Sequence, residues 1–444
     1  MRILIVSRYV VYPSWQGPAQ HVQTFAKALV DQGNEVFVAS GEDVLQEDSI
    51  EQDGYKIVRI PMNRSGGKLE SLLSISSHDK DCALIAKRLL QEWNPDVVHI
   101  GVMVQMASFV EVAHDMGYPI VAIIHDYSWL CYTKFLINYQ GRFCNGPEDK
   151  NKCLLCVTKQ LSRKRRIASD VFMKLENFNL IPSYFSKNLE KKLNIYGQVS
   201  ESFDYMKRIR KYVDFFIAQT PITKEIIEKY DVESDKIILI GQWLSEEKLK
   251  VNIPKERRQT DSKIRIGFVG RLDYEKGLHV LGEAIRLLNQ PEKLELWILS
   301  SGATMDRVQS LTGNLPNNLK IRMFGELQGD DALPRVISEL DLTVVPSIWA
   351  ETGPRVLLEA LAQKIPCIAT DQLGNSFMIK DHVNGRLFKM GDSNELSEIL
   401  NNIVENPGMI MEWAQNIPKV MGRDEWLDRI IALHNLAIAS KGKT

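Results

Sequence analysis

Short apolar runs alternate with helix-spaced ones along most of this chain. The runs at 3–6, 35–39, 97–100 and 120–124 are brief and rich in Val and Ile, as in buried parallel strands. Between the first two, residues 19–31 place Val22, Phe25, Ala26, Leu29 and Val30 at helical spacing, closed by Gly33. The pattern restarts at Ile264-Arg-Ile-Gly-Phe-Val269 and continues with strand-like runs at 294–299, 319–323, 342–345 and 367–369, with helical segments between them. Such alternation predicts an α/β chain of two Rossmann-like, doubly wound domains facing a central cleft, with ligands at the carboxyl ends of the strands. The first domain is expected over 1–245, interrupted by an insertion at about 127–212 that breaks the alternation. A polar linker follows at 246–262, then the second domain at 263–422 and a last helix at about 423–439.

Composition narrows the class. A chain of 444 residues exceeds one ordinary core. With 44% hydrophobic and 25% charged residues and a net charge of −1, nothing global calls for nucleic acid. The apolar run at the N-terminus is too short for a signal peptide, and no run approaches the ~18 residues that span a bilayer. A cytoplasmic protein is expected, and its six cysteines then argue for thiols or metal over structural disulfides.

The most informative stretch is Glu351-Thr-Gly-Pro-Arg-Val-Leu-Leu-Glu359. It places a Gly-Pro turn between a strand and a helix start, with a carboxylate on either side. The free N–H groups and dipole of a helix N-terminus favour an anion or hydroxyls. Paired carboxylates suit sugar and ribose hydroxyls. A glutamate in a helix's first turn is also ordinary capping chemistry. The loop Gly267-Phe-Val-Gly270-Arg271-Leu-Asp-Tyr-Glu-Lys276-Gly277 follows the second domain's first strand. There glycines admit a phosphate, Arg271 can fork onto a diphosphate and Lys276 adds a point charge. A surface turn with solvated charges is the plainer account. Neither the P-loop order nor the dinucleotide glycine pattern is present.

These residues, with Val345-Pro-Ser347 and Asn384-Gly385-Arg-Leu-Phe388, resemble the GT-B-fold retaining glycosyltransferases of family 4 (glycosyl transferases group 1). The likeness is to a subset with a Glu-Thr-Gly-Pro motif, a His-Asp-Tyr element and a cysteine-bearing insertion. The resemblance implies that Arg271 and Lys276 bind the donor diphosphate and stabilise the leaving group. It implies that Glu351 holds hydroxyls of the transferred sugar, that Glu359 takes the ribose, and that the backbone at Gly270, Thr352, Gly353, Pro354 and Arg355 meets the donor. It also implies a last helix (423–444) that crosses back to the first domain. The chain departs from the family at Ser300-Ser-Gly302, at Phe377 and at Lys364, which leaves donor base and sugar open.

In the first domain, Ser14-Trp-Gln-Gly17-Pro-Ala-Gln-His21 joins the first strand to the first helix; the family places such a loop, here at Gly17, near the donor phosphates. His125-Asp126 ends a strand, and the resemblance puts His125 near the reacting sugar. Cys131, Cys144, Cys153 and Cys156 end in a ligand-like C-x-x-C pair; a tetrahedral structural zinc and four reduced thiols are the two readings. Between Lys159 and Lys211, 13 Lys and Arg face 5 Asp and Glu, with Arg163-Lys-Arg-Arg166 the densest part and Phe172, Phe178, Tyr184 and Phe185 interleaved. That segment suits an anionic membrane surface or a lipid diphosphate as well as a solvated face.

The expected activity is therefore glycosyl transfer (EC 2.4) with retention, from an NDP-sugar donor, UDP or GDP foremost, to a hydroxyl of a glycan or lipid-linked acceptor. No cofactor is required for catalysis beyond this co-substrate, a structural zinc aside. Peripheral contact with the inner membrane surface and bacterial surface or exopolysaccharide synthesis are expected, and no nucleic-acid partner. A GT-B sugar-nucleotide epimerase and a non-catalytic GT-B scaffold subunit are the alternatives.

Overall fold

The computed structural model describes residues 1–11, 17–62, 73, 77–140, 142–144, 146, 150–159, 194–249, 263–325, 327, 332–349 and 351–442, the side chains of 17–20 and 247 excepted. The chain divides into two compact units. One comprises Met1–Gln219, Thr223–Ile240 and Leu427–Thr444; the other comprises Thr220–Ile222 and Gly241–Trp426. The main span of the second unit thus begins at Gly241, a few residues before the boundary expected at 245. The residues after Leu244 form a short helix, Glu246–Leu249, tied in by Leu244 N–H to Met421 O (3.2 Å) and Gln363 Nε2 to Lys248 O (2.8 Å). The remainder of the expected linker, 250–262, lies outside the described residues.

The first unit holds an eight-stranded sheet of β1 (Arg2–Arg8), β2 (Glu35–Glu42), β3 (Asp48–Gln52), β4 (Tyr55–Pro61), β5 (Val97–Ile100), β6 (Ile120–Ile123), β7 (Phe215–Ala218) and β8 (Ile237–Leu239), in the order β3-β4-β2-β1-β5-β6-β7-β8. All neighbours run parallel except β3 and β4. Helix Gly17–Asp31 buries Val22, Phe25, Ala26 and Leu29 of the stripe that its spacing predicts; Ala28 is buried as well, and Val30 is only half-buried. The β3–β4 hairpin was not foreseen. Its Asp53-Gly54 turn has φ of 48° and 82°, the positive pair that a tight two-residue hairpin needs. Residues 427–442 pack in this unit. His434 and His99 share a hydrogen bond of 3.0 Å between Nε2 and Nδ1, and Lys441 pairs with Asp214 at 2.9 Å.

The second unit holds six parallel strands: β9 (Ile264–Val269), β10 (Leu294–Leu299), β11 (Lys320–Phe324), β12 (Leu342–Val345), β13 (Cys367–Thr370) and β14 (Gly385–Phe388), in the order β11-β10-β9-β12-β13-β14. Alternate residues of β10 feed two cores. Leu296 and Ile298 join Leu278, Leu281 and Ile285 of helix Leu278–Arg286, whereas Trp297 and Leu299 join Leu357, Leu358 and Leu361 of helix Arg355–Ala362. The strand order reverses between β9 and β12. The loops leaving those two strands therefore diverge around a crevice at the carboxyl edge, where open α/β sheets take ligands.

Candidate active site

Both loops at that crevice are the ones singled out by sequence. The loop after β9 runs through Gly270 (φ 147°) to a turn at Tyr274–Lys276, and Gly277 (φ 75°) then opens helix Leu278–Arg286. A Cβ on Gly277 would lie 1.8 Å from Pro346 O, so only glycine lets this loop press against the one leaving β12. Ile348 N–H donates to Glu275 O (2.9 Å), a second tie between them.

That contact brings Lys276 to Glu351. Lys276 Nζ donates to Glu351 Oε1 at 2.9 Å, and Ser347 Oγ donates to the same oxygen at 2.8 Å. The Glu351 side chain is 4% exposed and the Lys276 side chain 26%. Lys276 also lies 5.0 Å from the centroid of the Trp349 ring. Gly374 N–H donates to Glu351 O (2.9 Å), and a Cβ there would meet Gly353 N at 2.5 Å, so the turn preceding helix Arg355–Ala362 is clamped from behind. Gln242 Nε2 donates to Gly353 O. Thr370 Oγ1 donates to Ser347 O (2.9 Å) and is itself held by the buried Asn375. No side chain caps this helix among the described residues, which leaves its first N–H groups beside Glu351–Pro354.

Glu359, one turn into the helix, is 5% exposed. Its Oε1 accepts from Lys248 Nζ at 2.9 Å and lies 3.5 Å from Arg355 Nε. The two carboxylates thus follow one plan. Oε1 of each is engaged by a largely covered lysine, while Oε2 of each accepts no hydrogen bond among the described residues. An ionised carboxylate held by one oxygen can present the other to a hydroxyl. Arg271 stands apart: its side chain is 56% exposed and pairs with Asp273 at 3.0 Å. Lys248 was missed because it sits in a stretch that reads as linker; its only signal is a lysine four residues after Leu244, where the apolar pattern stops.

Residues 250–420 match the family model described as glycosyl transferases group 1, and residues 15–160 match that of glycosyltransferase family 4. The chain belongs to these glycosyltransferase families. It is 26% identical over 202 residues to an uncharacterized glycosyltransferase, MJ1607, of Methanocaldococcus jannaschii, covering 43% of this chain and 51% of that protein. It is 24% identical over 225 residues to the lipopolysaccharide core biosynthesis glycosyltransferase LpsE of Rhizobium meliloti, covering 49% and 62%. The chain thus spans about half to three-fifths of the length of these curated relatives. Among solved structures, HepE of Anabaena, in complex with UDP and glucose, is similar at TM-score 0.61 and 17% identity over 98% of this chain and 99% of that one. WaaG, a glycosyltransferase involved in lipopolysaccharide biosynthesis, is similar at TM-score 0.60 and 15% identity over 94% of both. The fold is GT-B.

In the first unit, His125 follows β6, and its ring meets the His21 ring edge-on with centroids 4.8 Å apart. Asp126 accepts from Ser128 N–H (2.9 Å) and caps the turn Tyr127–Trp129. Gly17 is the first residue of its helix; residues 12–16 of the loop before it lie outside the described residues. Cys131, Cys144, Cys153 and Cys156 line one cavity, although no group of three or more His, Cys, Asp or Glu among the described residues is disposed to hold a metal ion as it stands. Cys82 and Cys367 are core residues.

Of the basic insertion, 160–193 lies outside the described residues, including Arg163–Arg166 and the four aromatics. Its described end is internally engaged. Lys207 pairs with Asp231, Arg208 with Glu111, and the buried Arg210 donates to Tyr230 O and Trp129 O. Burial pulls the Arg210 guanidinium down to about 10. No helix among the described residues is long and apolar enough to cross a membrane.

Proposed function

We propose that the chain transfers a sugar from an NDP-sugar to a hydroxyl of a glycan or lipid-linked acceptor, with retention at the anomeric centre. The observation that carries this reading is the pair Glu351 and Glu359. Each has one oxygen locked by a lysine and the other without a hydrogen-bond partner among the described residues, at the two ends of one strand-to-helix junction. In this reading Glu359 takes the ribose hydroxyls and Glu351 those of the transferred sugar. Lys276, Arg271, Gly270 and the backbone at Thr352, Gly353, Pro354 and Arg355 surround the diphosphate. As the bond from the anomeric carbon to the diphosphate breaks, Arg271, Lys276 and the helix N-terminus stabilise the departing charge. The acceptor oxygen bonds to the same face of that carbon, and its proton passes to the leaving phosphate. His125 and Gly17, in the first unit, are further candidates for a part in the reaction.

UDP is the first nucleotide to test, since HepE binds it, followed by GDP. Relatives of the chain serve lipopolysaccharide and amylovoran biosynthesis, which supports a role in bacterial surface polysaccharide synthesis. A cytoplasmic location with peripheral membrane contact through the basic insertion suits a lipid-linked acceptor.

The deciding experiment is calorimetry with UDP, GDP and ADP and their common sugar conjugates, repeated on Arg271→Ala. One nucleotide should bind clearly and lose affinity in the variant. No binding by any of them would sink the reading. NMR of the product's anomeric proton then separates retention from inversion.

A further inference from the structure

Three separate stretches of the first unit bring their cysteines to one point. Cys131 closes the turn that follows Asp126: its N–H donates to Tyr127 O at 2.7 Å. Cys144 lies beside the Ile137–Phe143 bridge, and its N–H donates to Leu136 O at 2.8 Å. Cys153 and Cys156 are three apart on helix Lys150–Lys159 and so share a face. All four line a cavity of about 20 Å³, whose other walls include Leu130, Tyr132 and Ile137.

A space of that size admits one water-sized body. A water needs two to four good hydrogen-bond partners, and thiols are poor ones. An empty void of this kind forfeits packing contacts on every wall. Four sulfurs around room for a single atom match the taste of a soft divalent cation, for which four thiolates in a tetrahedron form a closed structural site. Lys152, also on the wall, would offset part of the net negative charge of such a site.

We propose that Cys131, Cys144, Cys153 and Cys156 bind one zinc ion. As the ion enters, four thiols release their protons to solvent and the sulfurs close on it. The ion fixes the chain just beyond His125-Asp126 to helix Lys150–Lys159. That helix otherwise leans on a small apolar cluster of Tyr132, Val157, Ile195, Val199 and Met206. The role is structural, and it holds whether or not the transferase reading does.

The test is elemental analysis of the full-length protein, purified under reducing conditions from zinc-supplemented cells, with no activity assay needed. About one zinc per chain is expected. Four of the six cysteines should resist alkylation until a strong chelator is added, and thermal stability should fall on chelation. Cobalt exchanged into the wild-type chain should show the intense sulfur-to-cobalt absorption of a tetrathiolate site. Cys153→Ser should lose most of the metal, and the cobalt spectrum keeps the test valid if that variant folds poorly. Metal well below one equivalent after incubation with zinc, with all four thiols alkylating freely, would overturn the proposal. So would a disulfide between any two of the four in anaerobically purified protein.

Discussion

Lys276 Nζ lies 2.9 Å from Glu351 Oε1, although the two residues leave different strands of the sheet. The pair exists because Gly277 lets one loop press onto the carbonyl of Pro346 in the other. A site charge is thereby compensated before any ligand arrives, and the carboxylate is oriented by two donors. Glu351→Gln keeps the Ser347 contact but leaves the ammonium without its partner. The expected result is a fall in kcat of about 10–100-fold with donor KM changed only a few-fold, read by steady-state kinetics. An equal rise in KM with unchanged kcat would assign Glu351 to ground-state binding instead.

Glu359 should behave in the opposite sense. Its carboxylate faces the proposed ribose position, so Glu359→Ala is expected to raise donor KM and Kd about 10-fold while kcat stays within a few-fold. Lys248→Ala should weaken the donor less, since it acts only by holding Glu359. The two substitutions together should cost less than their sum, with a coupling of about 0.5–3 kcal/mol in a double-mutant cycle. Additive effects in calorimetric Kd values would separate Lys248 from this role. Removing either partner also leaves a covered charge unpaired, so both single variants should lose stability.

Five of the second unit's strands were legible in sequence to within a residue, because β9, β10 and β12 are short runs dominated by apolar residues; β14 was read only as part of a motif. Lys276, Glu351 and Glu359 were legible for a different reason: motif order alone put them at one edge. Less was visible where periodicity is weak. The β3–β4 hairpin has a half-exposed outer strand, Asp48–Gln52, with little apolar signal, although its Asp-Gly turn was there to be read. β7 and β8 are three or four residues long and lie beyond an insertion that interrupts the pattern. Lys248 was missed, because ion pairing across a long sequence separation leaves little trace in local spacing. Arg271 was expected to be a site cation by its position; its exposure and its Asp273 partner come only from the fold.

The two loop glycines offer a contrast in cause. Gly277→Ala adds a Cβ 1.8 Å from a backbone carbonyl at φ 75°, so strain and clash combine. Gly270→Ala meets nothing within 4 Å and carries only its unfavourable φ of 147°. Denaturant titration should show Gly270→Ala destabilised by about 1–3 kcal/mol and Gly277→Ala by more. Gly277→Ala should also lose the Lys276–Glu351 pairing and with it most turnover. If the two variants cost the same, the loop contact at Pro346 is not what the glycine serves.

The His99–His434 pair predicts an acid-sensitive first unit. Both rings are fully covered, and they hydrogen-bond to each other in neutral form, one donating and one accepting. Burial pushes His434 down to about 3; burial, then the neighbouring His434 and His125, holds His99 well below its ordinary value. In the unfolded chain both titrate near 6.5. Between those values the unfolded state binds protons that the folded state refuses, so stability rises with pH there. It is present in full above about 6.5 and is lost as pH falls toward about 3. One such histidine contributes a slope approaching about 1.4 kcal/mol per pH unit in that window. His434→Gln keeps an amide that can bond to His99 and removes one titrating group. Its unfolding free energy, measured by urea titration between pH 7 and pH 5, should therefore decline less steeply than that of the wild type, even if it starts lower. Parallel slopes would mean that His434 is already protonated in the folded chain, which its burial against a second imidazole opposes.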